Sequence, residues 1–157
     1  MHSRIFQVSK NKITSDNRIY DSRYDDWFVG KVADYVVKSD NRKGDLEWLT
    51  TCHKGLEITE KDGNTVLKIV SKEEYFEKSF NEFKGLIKKF SEYSIKDFVD
   101  SKNWLDFWNL KASYDDEHGF YVDDNDEYFG IATFDDFMRN AEDGDVYYMG
   151  VTFDYHS

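Results

Sequence analysis

Residues 71–93 read SKEEYFEKSFNEFKGLIKKFSEY, and the fold follows from how this stretch is read. Ser71 is suited to accept the backbone N–H three residues on, and Glu74 at that third position completes a capping box. Glu73 adds a carboxylate where the helix dipole is positive, and Lys88 and Lys89 close the far end with opposite charge. Between these ends Phe76, Phe80, Phe83, Ile87 and Phe90 recur at intervals of four and three. That spacing lays all five on one face of a helix of about six turns. A helix over 71–93 is predicted, with its stripe against a core. Gly85 weakens it by about 1 kcal/mol relative to alanine.

Working outward, Leu56, Ile58, Val66, Leu67 and Ile69 flank Lys61-Asp62-Gly63-Asn64. Asp-Gly supplies the positive φ of a tight turn, so 56–70 is a β-hairpin. Ile5, Phe6 and Val8 mark a strand over 4–8, followed by a polar loop over 9–26. Segment 27–37 fits either a helical stripe or strand ends. Leu46, Leu49 and Cys52 indicate a short helix over 45–52. Ser94 and Asp97 repeat the cap logic before Phe98, Trp104, Leu105 and Trp108, which read as one or two helical pieces. Strands are expected at 120–122, 128–131 and 146–155, and a helix capped by Thr133 and Asp136 carries Phe134, Phe137 and Met138. The sum is an α+β class: a single domain over 1–157, with an antiparallel sheet of five or six strands packed against the long helix and shorter ones.

Composition narrows the chemistry. Aromatics make up 18% of the 157 residues, ample for a core and unlike a disordered chain of similar charge. No window approaches a membrane span, and residues 1–10 lack the cationic-then-apolar order of a signal peptide. With one cysteine, Cys52, no internal disulfide forms, and a reducing bacterial cytoplasm is expected. Gly-x-Ser-x-Gly, Gly-x-Gly-x-x-Gly and Walker patterns are absent from the sequence. Cys52 and His53 are adjacent, so their side chains diverge, and a buried Cys beside a surface His is expected. His2, His53, His118 and His156 are scattered, against the close pairs that zinc requires. Asp124-x-Asp126 begins like an EF-hand loop, but its sixth position is Phe129 where that loop needs glycine. No metal and no cofactor are expected. The carboxylate groups Asp115-Asp116-Glu117 and Asp135-Asp136 leave a hydrolase as one alternative.

Net charge is −11, and its distribution is uneven. Residues 113–157 carry 13 Asp and Glu against Arg139 alone, while the preceding residues are balanced. The same segment holds 11 aromatics, so it reads as a folded acidic surface and not a disordered tail. Direct nucleic-acid binding is disfavoured, because phosphate contacts need Lys and Arg and the one basic concentration is Lys84, Lys88 and Lys89. A protein partner with a basic surface fits better, met through Asp115, Asp116, Glu117, Tyr121, Asp123, Asp124, Asp126, Glu127, Tyr128, Asp143 and Asp145.

Ser3-Arg4-Ile5-Phe6-Gln7, Trp27-Phe28-Val29-Gly30, Asp34-Tyr35, Tyr147-Tyr148-Met149-Gly150 and Asp154-Tyr155-His156 together resemble small acidic proteins of Gram-positive bacteria and their mobile elements. That type is similar in size and charge to anti-CRISPR inhibitors of type II-A systems. The resemblance implies a stoichiometric inhibitor without catalysis of its own, with Cas9 or a similar nuclease as its target. It assigns no functional residue. An immunity protein neutralising a cognate toxin shares the acid-plus-aromatic character and is the rival reading.

Overall fold

The computed structural model describes residues 2–124 and 130–157. In chain order these form β1 (His2–Ser9), β2 (Tyr35–Lys38), α1 (Arg42–Cys52), β3 (Leu56–Lys61), β4 (Asn64–Ile69), α2 (Lys72–Ser91), α3 (Ile95–Val99), α4 (Trp104–Tyr114), β5 (Tyr121–Asp124), β6 (Ile131–Thr133), α5 (Phe134–Asn140) and β7 (Val146–His156). Short 3-10 turns occupy Asp21–Tyr24 and Ser101–Asn103. The α+β class is as the sequence indicates.

One sheet runs in the order β3-β4-β7-β1-β5-β6, and β2 also pairs with β7. The eleven-residue β7 shares one edge between two neighbours: β4 takes Val146 to Tyr148, and β2 takes Phe153 to His156. The sheet is not wholly antiparallel. β1 and β5 run parallel, with Ile5 opposite Tyr121, because the chain between them crosses over through helices and does not turn back on itself. Segment 27–37 resolves into a bridge between Val29 and Ala33 around Gly30, whose φ is +83°, followed by β2. The hairpin at 61–64 turns on Asp62 and Gly63, both at positive φ.

A bulge in β7 builds the two cores. Phe6 pairs with Thr152 and Val8 with Met149, so Gly150 and Val151 together oppose Gln7. One extra residue exchanges the faces of every side chain beyond it. Tyr147 and Met149 accordingly join Phe6, Val8, Leu49, Phe134 and Met138 on one face, whereas Val151, Phe153 and Tyr155 join Ile5, Tyr24 and Phe28 on the other. Buried Gln7 repairs the interrupted ladder. Its Oε1 accepts from Val151 N at 3.3 Å, and its Nε2 donates to the Asn17 carbonyl at 2.7 Å. A side chain at position 150 would strike Gln7 Oε1, which explains the glycine.

The long helix is where expected, but its orientation is not. Ser71 Oγ accepts from Glu74 N at 3.2 Å as the cap. Tyr75 is the residue of α2 that is buried, with Phe76 packed partly beside it. Phe80 and Ile87 are exposed. The predicted core stripe is thus a correction: after its first turn α2 leaves the sheet, and its main partner is α4. Among the described residues no helix is long and apolar enough to cross a membrane.

Candidate protein-binding surface

Among the described residues the acidic third does not form the continuous exposed field that its composition implied. Asp123 is fully buried on β5 instead of standing on a turn, and this corrects its assignment to the surface. Arg23 Nε meets its Oδ2 at 2.8 Å, and Tyr24 Oη donates to the same oxygen at 3.0 Å. Burial raises the Asp123 carboxyl above the usual range, against the opposing pull of Arg23. Tyr121 is likewise buried, its hydroxyl bonded to the Glu117 carbonyl at 2.9 Å, so it is no exposed anchor. Both residues alternate with core positions of a strand that is covered on its two faces.

Other acids have internal work. Asp145 pairs with Lys10 at 2.6 Å and accepts from Glu142 N, contacts that hold its carboxyl below the usual range. Asp115 accepts from Thr133 Oγ1 at 2.6 Å, and Asp116 Oδ1 accepts from His118 N at 3.0 Å. Exposed Asp143 caps α2 from outside by accepting from Lys72 N at 2.8 Å. Glu117 is exposed and pairs with Lys111 at 2.7 Å, and Asp124 is partly buried at the end of β5. Asp126, Glu127 and Tyr128 lie outside the described residues, as does the strand expected at 128–131 up to position 129. Position 131 opens β6. Cys52 is exposed and His53 is the more enclosed of the two, the reverse of the expected pair. Asp135 and Asp136 also separate, one half-buried and the other exposed.

What stands out instead is a helical arm. Phe76, Phe83 and Phe90, seven residues apart, form the half-covered seam of α2. Phe90 stacks on Phe107 of α4 at 4.6 Å, and Phe83 meets Tyr114 at 6.4 Å. Lys89 and Tyr93 both clasp Asp106 at 2.6 Å, and these bonds lower the Asp106 carboxyl. Arg139 ties the root, lying over the rings of Phe76 and Tyr114 and donating to the Tyr114 carbonyl. At the tip, Ser94 and Asp97 form a complete capping box, more fully than Ser71 does for α2.

The tip is apolar and bare. Ile95, Phe98, Val99 and Trp104 expose 80%, 64%, 72% and 64% of their surface, and Leu105 and Trp108 continue the patch. An isolated exposed Leu needs no explanation, but six large apolar residues in one short helical segment do. A signal existed in the sequence. Trp104, Leu105, Phe107, Trp108 and Leu110 occupy more than half the circumference of α4, with Asp106, Asn109 and Ser113 on the remainder, and an apolar arc that wide exceeds what one packed helix covers. Here α2 covers the Phe107 side of α4, and Trp104 and Leu105 remain exposed.

No family model, curated protein or solved structure matches the chain.

Proposed function

We propose that this chain works by docking onto another protein through the tip of the α2–α4 arm, as a stoichiometric inhibitor of a nucleic-acid-handling enzyme and not as an enzyme itself. One observation carries the docking: four consecutive-neighbourhood apolar side chains, Ile95, Phe98, Val99 and Trp104, are each nearly two-thirds exposed or more. Such residues are the anchors that protein interfaces desolvate. The net charge of −11 adds steering toward a basic partner, which accelerates encounter more than it tightens the complex. A Cas9-type nuclease is the target supported by the resemblance of the sequence blocks around Phe6, Phe28 and Tyr148.

The test is cleavage by guide-loaded Cas9 with increasing amounts of the chain, alongside light scattering of the mixture. Inhibition that saturates at one chain per nuclease is expected. The variant Ile95→Ser/Phe98→Ser/Trp104→Ser should keep its fold and lose inhibition by at least tenfold. Full-strength inhibition by that variant would move the interface off the arm. Absence of both complex and inhibition would remove Cas9 as target and leave a toxin partner, as for an immunity protein, to be tested on the same surface.

A further inference from the structure

Beside the root of the arm lies a cavity of about 230 Å³ that the docking surface does not use. The start of β1, the end of α1, the start of α2, residues 116 and 118–120 and the start of α5 line it. Its walls include the rings of Trp48, Tyr75, Phe120 and Phe134, and two carboxylates, Asp116 and Asp135, line it as well. Asp135 Oδ1 accepts from Tyr75 Oη at 2.9 Å, and its Oδ2 accepts from Asp116 N at 3.2 Å. Among the described residues neither carboxylate has an ion-pair partner within 4.0 Å. The guanidinium nearest in effect, Arg139, is spread over Phe76 and Tyr114. Burial therefore pushes the Asp135 carboxyl up.

His53 also lines the cavity, stacked on Tyr75 at 4.7 Å. Burial, helped by Lys78, lowers it to about 4, so at neutral pH it presents an uncharged ring. The exposed imidazole of His2 and the half-buried one of His118 stand at the rim. Three ligand classes can be separated on this chemistry. An anion would face two carboxylates. A neutral apolar group would strip water from them without giving a partner. Among the described residues no three His, Cys, Asp or Glu side chains form a group that could hold a metal ion. An organic cation satisfies both features, since ring faces attract it and carboxylates accept its N–H donors.

We infer that this cavity is a receptor for one ammonium or guanidinium group. Its volume is below the roughly 300 Å³ at which pockets for drug-sized molecules begin, so it admits a side-chain-sized cation. The groove between α2 and α4, about 770 Å³, shares Tyr75, Asp116 and Asp135 with it and gives a polypeptide a way to lie alongside. The group can be a Lys or Arg side chain of a polypeptide or a free polyamine, and the site stands independently of the arm's tip.

Amide and indole resonances of the full chain, followed by NMR, provide the test. Three probes are titrated: acetyl-Gly-Arg-Gly-amide, spermidine and acetyl-Gly-Glu-Gly-amide. Saturable shifts at the Trp48 indole and the His53 amide are expected with the first two and not with the third. The tighter of the first two identifies the source. Asp135→Asn and, separately, Asp116→Asn should each weaken binding by about tenfold, as loss of a charge-assisted bond implies. Phe98→Ser should leave the titration unchanged, so failure of the arm and failure of the cavity read differently. Asp116→Asn carries the comparison if Asp135→Asn fails to fold. No saturable shift with either cation, an equal shift with the Glu peptide, or unchanged affinity in folded Asp116→Asn would each overturn the receptor.

Discussion

β7 and α2 carry comparable apolar stripes and meet opposite fates. On β7, Tyr147, Met149, Val151, Phe153 and Tyr155 are all buried, the last three by way of the bulge at Gly150. On α2, Phe76, Phe83 and Phe90 are half-covered by Arg139 and α4, while Phe80 and Ile87 are open to solvent. Periodicity says which side chains share a face. Whether another element covers that face is a separate fact, fixed by where the chain goes next. After α2 it folds back only as two short helices, too little material to cover both sides of a six-turn rod.

The sharpest way to break this comparison is to truncate one aromatic in each region. Phe153 is buried with its ring edge-on to Tyr24 at 5.2 Å, and Phe153→Ala should cost about 3–5 kcal/mol. Phe80 is 56% exposed, and Phe80→Ala should stay within about 0.5 kcal/mol of the parent. Urea unfolding of both variants measures this directly. Equal costs would mean that α2 packs far more closely than its exposure indicates.

Next in size is a pH effect at the junction of the two regions. His53 is held neutral in the fold, with its value lowered from 6.5 to about 4 by burial and then by Lys78. Between those values the unfolded chain binds a proton that the folded chain does not. Stability from this group is therefore complete above about pH 6.5 and falls as pH drops toward 4, by up to about 3 kcal/mol. Asp135 and Asp123, both raised by burial, act in the opposite sense, because the folded state keeps their protons to higher pH. The difference between the parent and His53→Gln isolates the histidine. Parallel pH profiles for the two proteins would show that the imidazole is hydrated, and the junction looser than its geometry.

The sequence disclosed what local chemistry controls. Caps at Ser71, Ser94 and Thr133 and the Asp62-Gly63 turn lie where their residue types predict, since each involves backbone groups within three or four positions. Burial of Asp123 was not legible, because it depends on Arg23 and Tyr24, about a hundred positions away in the chain. The parallel pairing of β1 with β5 likewise arises from a crossover that no local pattern encodes. Of the candidate site, acid content in 113–157 was visible, but its consumption by Arg23, Lys10, Thr133 and backbone donors was not. The bare tip was legible in principle, through the wide apolar arc of α4.

The smallest effect concerns how far the arm is coupled to the sheet. Gly85 sits inside α2 with an ordinary helical φ, and a Cβ added there meets nothing within 4 Å. Gly85→Ala should therefore add about 1 kcal/mol of helix stability without a steric cost. Where that gain shows distinguishes two behaviours. If arm and sheet unfold together, the urea midpoint of the whole protein rises by the full amount. If the arm opens alone, the midpoint stays put and only the amides of α2 and α4 exchange more slowly. The seam of Phe90 on Phe107 and the clasp of Lys89 and Tyr93 on Asp106 bind the two helices to each other along their length, whereas Lys72, Tyr75, Phe76, Lys111 and Arg139 bind them to the body at the root. Local opening is the expected result, seen as slower exchange in α2 by about fivefold with the midpoint unmoved. A shift of the global midpoint would show instead that the root alone makes the arm part of the cooperative core.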